Sequence, residues 1–255
     1  MQERSRNFGT NPHNGYWWHR LKGSDYVPPV YAGLSDYEWL ILQQWFDDTE
    51  QKFPSPGEVS IPGISFLSGL IGGSAISSIV QCGHFVGYSS LMLGFLFRKM
   101  GKKNALFSID IDPVPTRYTQ DWIERAGLQE YVKLSVASSS DPAMVEEARA
   151  FHGSSPHLVF IDSSHRYAHT LEELDLWWEA LKPGGLIVLH DISVFAQQFV
   201  GPDDGGVLRA VREWSEKAGV QPFLMNQFVD GGTQPADLTY KDGCGLGLLQ
   251  KPLTG

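Results

Sequence analysis

Two spacings of apolar residues alternate through the middle of the chain. Short apolar runs recur at Ile76–Cys82, Ala105–Ile109, Val132–Val136, His157–Ile161 and Leu186–His190. Each has the length of a buried strand and is bounded by polar or turn residues. Helical spacing fills the gaps. Ser89–Met100 is apolar on most faces and closes at Gly101. Pro115–Ala126 turns Tyr118, Trp122 and Ile123 inward and closes at Gly127. Asp141-Pro142 starts a helix that runs to about Phe151, with a cap followed by proline. Thr170–Leu181 carries Leu171, Leu174, Trp178 and Leu181 on one stripe. Upstream, Ser35 and Glu38 have capping-box spacing, and Trp39, Leu40, Leu42, Trp45 and Phe46 follow before Pro54 and Pro56. A further apolar helix, Ile64–Ile71, follows Pro62 and ends at Gly72-Gly73.

Five strands separated by helices predict an α/β fold, a doubly wound and mostly parallel Rossmann-like sheet covered on both faces. The pattern changes after His190. Val207, Leu208, Val211 and Trp214 mark one more helix. Pro222–Phe228 and Gly245–Gln250 then read as two strands joined by a loop, which predicts a C-terminal hairpin. The first 35 residues are rich in Gly, Pro, Asn and aromatics, among them Tyr16, Trp17, Trp18, Tyr26 and Tyr31. We divide the chain into an N-terminal arm and helix, 1–60, and a ligand-binding domain, 61–255. The arm would pack on the domain surface, cover a site as a lid, or make a dimer contact between identical chains.

Composition narrows the function. The 255 residues carry a net charge of −9, the wrong sign for a general nucleic-acid binder. Two cysteines, Cys82 and Cys244, make neither a disulfide framework nor a zinc cluster. The first six residues have no apolar stretch behind them, so no secretory signal is expected and a cytoplasmic location is. No Lys, Arg, Asp or Glu occurs from Val59 to Phe97, yet Pro62, Gln81, His84 and several glycines interrupt that span. A membrane helix needs about 20 mostly apolar residues, so none is expected.

In a doubly wound sheet, ligands bind beyond the carboxyl ends of the strands. The loop after the first strand, Gln81-Cys82-Gly83-His84-Phe85-Val86-Gly87-Tyr88-Ser89, has G-x-x-x-G spacing. Phe85 stands where a dinucleotide fingerprint needs its second glycine, and no Gly-Lys-Ser/Thr follows. Asp110 ends the second strand, where a carboxylate can accept from both hydroxyls of a ribose; Asp112 before Pro113 reads as a helix cap. Together the loop and Asp110 favour a nucleoside-type ligand. Without a phosphate cradle, S-adenosylmethionine (SAM) fits better than NAD.

These motifs, with Val-Phe-Ile-Asp-Ser-Ser-His-Arg-Tyr and Leu-Lys-Pro-Gly-Gly-Leu-Ile-Val-Leu-His-Asp, resemble the class I SAM-dependent methyltransferases. The nearest groups are small-molecule O-methyltransferases of the catechol, macrocin and cephalosporin-hydroxylase-like types, over about Ile76–Ile192. The resemblance implies methyl transfer to a small-molecule hydroxyl, as in secondary metabolism. It implies that Gly83 and Phe85 line the methionine part of SAM, that Ser89 bonds its carboxylate, and that Asp110 holds the ribose. Ser139 would lie near the adenine and Asp162 near the sulfonium. Gln81 stands where the family usually has an acid and would bond the ammonium. Metal-dependent relatives would use Asp162, His190 and Asp191 for a divalent cation such as Mg²⁺, although an imidazole suits a softer ion. His165, three residues past Asp162, is the candidate base, with a reference pKa of about 6.5. His169 reads as a solvated helix residue. Two other readings stay open, an NAD-linked oxidoreductase and a non-catalytic SAM-fold binding subunit.

Overall fold

The computed structural model describes residues 23–53, 57, 59–201, 203–225 and 238–253. In chain order they form α1 (Pro29–Ala32), α2 (Asp36–Lys52), α3 (Ile61–Gly73), β1 (Ile79–Cys82), α4 (Tyr88–Lys99), β2 (Leu106–Asp110), α5 (Pro113–Arg125), β3 (Val132–Val136), α6 (Ala143–His152), β4 (Leu158–Ile161), α7 (Tyr167–Ala180) and β5 (Leu186–His190). A 3-10 turn (Phe195–Phe199), α8 (Gly206–Ala218), β6 (Phe223–Met225) and β7 (Leu246–Gln250) follow.

The strands lie in one seven-stranded sheet, ordered β3-β2-β1-β4-β5-β7-β6. Pairing is parallel from β3 to β5. It is antiparallel where β7 joins β5, Ile187 opposite Leu249, and where β6 joins β7, Leu224 opposite Gly247. The chain reverses direction in the sheet at β1, between β2 and β4, which leaves a crevice at the carboxyl ends of those strands.

Neighbouring residues on each strand face opposite sides. Ile79, Leu106, Phe160 and Val188 join one core with Leu42, Trp45 and Phe46 of α2, Leu67 of α3 and Trp122 of α5. Val80, Phe107, Val159 and Leu189 join the other with Leu174 and Trp177 of α7 and Val211 and Trp214 of α8. The second helix of the expected arm is therefore part of the core beneath the sheet. Its start is the capping box read from the sequence: Ser35 Oγ accepts from Glu38 N at 3.3 Å and Glu38 Oε2 accepts from Ser35 N at 2.8 Å.

Several boundaries differ from the sequence reading. β1 starts at Ile79 rather than Ile76, because residues 74–78 turn through Ala75 at φ +52°. α3 starts at Ile61, three residues earlier than expected, and α7 at Tyr167. On α7 the deeply buried tryptophan is Trp177, not Trp178, and Trp178 packs edge-on against Trp214 at 5.0 Å. Residues 226–228 of the expected penultimate strand, and Tyr16, Trp17 and Trp18 of the arm, lie outside the described residues.

Candidate active site

A cleft of about 560 Å³ opens beyond the carboxyl ends of β1, β2, β3 and β4. That is within the roughly 300–1,000 Å³ of small-molecule and cofactor pockets. Its first wall is the loop between β1 and α4. Gly83 takes φ +88°, and a Cβ there would overlap the backbone carbonyl of Asp162. Gly87 takes φ +93°, and its missing Cβ leaves room for Thr119. Both glycines thus let the loop lie against β4 and α5, a packing reason that the G-x-x-x-G spacing does not reveal. Phe85, between them, is a non-glycine residue at φ +39°. It is held there by Thr119 Oγ1, which donates to its carbonyl at 2.8 Å, and by Phe53, 5.9 Å away ring to ring. Ser89 and Tyr88, in the first turn of α4, also line the cleft. The first-turn N–H groups of a helix have no acceptor within it, which makes this end electropositive.

Asp110 ends β2 and lines the cleft. Its Oδ2 accepts from Phe85 N at 2.8 Å and His84 N at 3.1 Å, and its Oδ1 from Asp112 N at 3.0 Å. A carboxylate offers about four acceptor positions, so Asp110 fixes the glycine loop and keeps capacity for a ligand. Asp112 caps α5 as expected, its Oδ1 accepting from Val114 N at 2.8 Å. His84 is buried between Ser108 Oγ (3.0 Å) and Thr116 Oγ1 (2.9 Å). Burial lowers its pKa to about 4, partly opposed by Asp110, so it stays neutral.

The structure places Gln81 outside the cleft. It is fully buried, and its Nε2 donates to Gly83 O (2.8 Å) and Ser89 Oγ (2.7 Å) while its Oε1 accepts from Ser90 Oγ (3.1 Å). Its amide is committed to holding the loop rather than reaching an ammonium group. A buried carboxylate here could not donate to Gly83 O, which accounts for an amide at this position.

At the far end Ser138, Ser139 and His169 line the cleft. His169 is half-buried rather than solvated. Its Nε2 lies 3.1 Å from Ser139 Oγ and 3.4 Å from Oε1 of Glu173, a fully buried residue one turn along α7. The bond to Glu173 raises its pKa against the effect of burial. Ser139 also donates to Glu173, and Trp177 Nε1 donates to Ser139 O at 2.8 Å.

Asp162 and His165 line the cleft after β4. Nδ1 of His165 lies 3.0 Å from Oδ2 of Asp191, the residue after β5. Burial pulls the His165 pKa down, but the bond and charge of Asp191, with the charge of Asp162, raise it above its ordinary value. Asp191 is buried, yet His190 and His165 hold its carboxyl well below the usual range. Phe199, about half exposed at 51% and packed edge-on against Phe195, lies 6.1 Å from the His165 ring.

The structure brings the expected metal set of Asp162, His190 and Asp191 together, but with the His190 ring bonded among the carboxylates rather than open to a cation. His190 is buried with Nδ1 3.3 Å from Asp162 Oδ1 and 3.1 Å from Asp191 Oδ2, and Nε2 3.0 Å from Asp242 Oδ2. Both ring nitrogens face carboxylates, so the ring is engaged on both sides. Burial lowers its pKa, but the three carboxylates outweigh this and keep it well above the ordinary value. Donor atoms of Asp162, His165 and Asp191 do lie within 4.8 Å of one another. A divalent cation among them would meet the His190 charge and would have to share Asp191 Oδ2 with two imidazoles. The residues as folded do not fit a divalent metal.

Asp242, His169 and Glu173 were not found as site residues by sequence reasoning. Their partners lie 52, 30 and 34 residues away, and no local motif marks them.

Comparison with known proteins agrees with this geometry. Residues 80–192 match a family model described as a methyltransferase domain. No curated protein matches the chain. Among solved structures, an O-methyltransferase from Bacillus cereus in complex with S-adenosylhomocysteine (SAH) superposes with a TM-score of 0.63 at 16% identity, covering 86% of this chain and 91% of that one. The O-methyltransferase TomG from Streptomyces achromogenes, in complex with SAM, gives 0.61 at 18% identity, covering 83% and 89%. The SAH-bound methyltransferase PaMTH1 of Podospora anserina gives 0.60 at 16% identity, covering 86% and 88%. Residues 80–192, which build most of the cleft, match the methyltransferase-domain model, and the sheet around them has the fold of these solved methyltransferase structures.

Proposed function

We propose that the chain transfers the methyl group of SAM to a hydroxyl of a small molecule. The observation that carries this reading is the pairing of His165 with Asp191 at the edge of a cofactor-sized cleft. Nδ1 of His165 donates to Asp191, which leaves Nε2 as the basic nitrogen of the neutral ring. The relatives named as O-methyltransferases, one of them with SAM bound, support the same reading. Phe85 and the methyltransferase match both speak against an NAD-linked oxidoreductase, and the His165–Asp191 pair speaks against a non-catalytic binding subunit.

The residues present fit SAM. The first turn of α4, with Tyr88 and Ser89, suits its carboxylate. Gly83 and Phe85 would flank the methionine part, Asp110 would take the ribose, and Ser139 with His169 would lie at the adenine. SAM, when bound, supplies an electrophilic methyl group on a sulfonium. Asp162 puts a negative charge at that end of the cleft. The acceptor hydroxyl would give its proton to Nε2 of His165 as its oxygen takes the methyl group. Asp191 would hold the imidazole in the proton-accepting tautomer and stabilise the imidazolium that forms. The rest of the protein's contribution is alignment of oxygen and methyl. No step runs through a metal.

The exposed face of Phe199 beside His165 is an apolar platform on which an acceptor can stack. TomG is described as involved in tomaymycin synthesis, and a secondary-metabolism acceptor is consistent with that. Gly57 and Val59 line the cleft from the N-terminal side, which favours a lid role for the arm, with self-association through it as the other use. Among the described residues no helix is long and apolar enough to cross a membrane. Cys82 and Cys244 are unpaired, as a cytoplasmic setting would have them. Incubation with methyl-labelled SAM and a panel of phenols, catechols and sugar alcohols tests the reading. Label in an ether product supports it; label on nitrogen or carbon alone overturns it.

A further inference from the structure

Behind the cleft, four side chains from three separate segments form one line. Asp242, in the connection before β7, faces Nε2 of His190 at 3.0 Å. Nδ1 of His190 faces Asp191 at 3.1 Å and Asp162 at 3.3 Å. Asp191 in turn faces Nδ1 of His165 at 3.0 Å. Asp242 is buried and is not among the residues that line the cleft.

Its own position is tightly specified. Asp242 Oδ1 accepts from Cys244 N at 3.1 Å. A Cβ on Gly63 of α3 would come within 3.3 Å of its Oδ2. Ser193 ties the same turn to the segment after β5, its Oγ donating to Gly243 O at 2.6 Å and its N to Cys244 O at 2.9 Å. Meanwhile Asp191 and His165 both sit at φ +59°. Non-glycine residues hold such backbone angles only where their surroundings over-determine them. His190 grips Asp191 from behind, and the Cys244 thiol also bonds it.

We propose that Asp242 is a positioning residue for the base. By holding Nε2 of His190, it turns Nδ1 of that ring onto Asp191 and Asp162, and so fixes the carboxylate that orients His165. Asp242 would then be part of the active site although it is not among the residues that line the cleft. This inference rests on the reading of His165 as the base.

Without Asp242, His190 could leave Nδ1 unprotonated and present a lone pair to two carboxylates. The repulsion would release Asp191, and His165 would lose its fixed tautomer. The groups facing this line are Asp162 after β4, Asp191 and His190 at the end of β5, Asp242 and Cys244 before β7, and the hydroxyl of Tyr240.

The test needs no acceptor. Histidine side chains labelled with ¹⁵N report ring protonation directly through long-range ¹H–¹⁵N correlations in the SAH-saturated protein. The unaltered chain should show His190 protonated at both nitrogens and neutral His165 protonated at Nδ1. In Asp242→Asn, calorimetric affinity for SAH should be unchanged within about twofold, while the His165 signals average between tautomers. Unchanged His165 signals in a folded Asp242→Asn protein overturn the proposal. A singly protonated His190 in the unaltered chain overturns it as well, even if the variant does not fold. Failure of the base reading looks different: His165→Ala would keep full methyl transfer whatever the spectra of Asp242→Asn.

Discussion

His165 and Asp191 stand 3.0 Å apart, Nδ1 to Oδ2, on two loops that follow different strands, and each holds its backbone at φ +59°. The pairing gives the site a base with a defined free nitrogen. It also raises the His165 pKa above its ordinary value, because the carboxylates outweigh burial.

Protonation removes a base, so activity is lost as pH falls through the His165 pKa. That pKa is raised, so the acid limb of kcat should lie above pH 6.5. Asp191→Asn removes the main raising cause and should move the limb toward lower pH. The kcat–pH profiles of both proteins on one hydroxyl acceptor check this.

His165→Ala should lower kcat by about 10²–10⁴-fold, the usual worth of a positioned base. SAH affinity should change little, which calorimetry reads. Near-normal kcat with the same pH profile would remove His165 from the mechanism.

Gly83→Ala sets a Cβ into the Asp162 carbonyl at a backbone angle unfavourable to alanine. It should cost at least about 1–3 kcal/mol of stability, read as a lower urea midpoint. SAH binding should fall as well, because the two loops that form the cleft are forced apart.

Activity should survive exhaustive chelation. His190 already faces Asp162, Asp191 and Asp242 from the centre of the carboxylates. Loss of activity with EDTA and its return with Mg²⁺ or Mn²⁺ would show that the cluster opens to a cation.

Phe199→Ala should raise the acceptor KM severalfold and leave SAH affinity unchanged. Phe199 lies beside His165 and is not among the residues lining the cofactor cleft. Steady-state kinetics with one acceptor under saturating SAM separates the two effects.

The sheet was legible because parallel strands buried on both faces are short continuous apolar runs, as in Val80 and Phe107. The antiparallel pairing of β6 and β7 was legible because two apolar runs follow one another with no helical spacing in the sequence between them. Asp110 and His165 were found because one ends a strand and the other stands in the loop just after one. What escaped are side-chain partnerships, one of them local and the others across sequence distance. Gln81 looked like a cofactor ligand, since nothing nearby shows that its amide is spent on Gly83, Ser89 and Ser90. His190 looked like a metal ligand because Asp242, 52 residues on, could not be placed opposite it. His169 looked solvated because Ser139, its partner, comes from the loop after β3.

The central claim is that the cleft over Gly83 and Asp110 binds SAM, and calorimetric titration with SAH tests it most directly. Asp110 fixes Phe85 and His84 at 2.8 and 3.1 Å and has acceptor capacity left for ribose hydroxyls. The unaltered chain should bind one SAH per chain, and Asp110→Ala should weaken binding by about 1.5–3 kcal/mol, the range for hydrogen bonds to a charged group. No heat of binding by the unaltered chain at millimolar SAH would contradict the account.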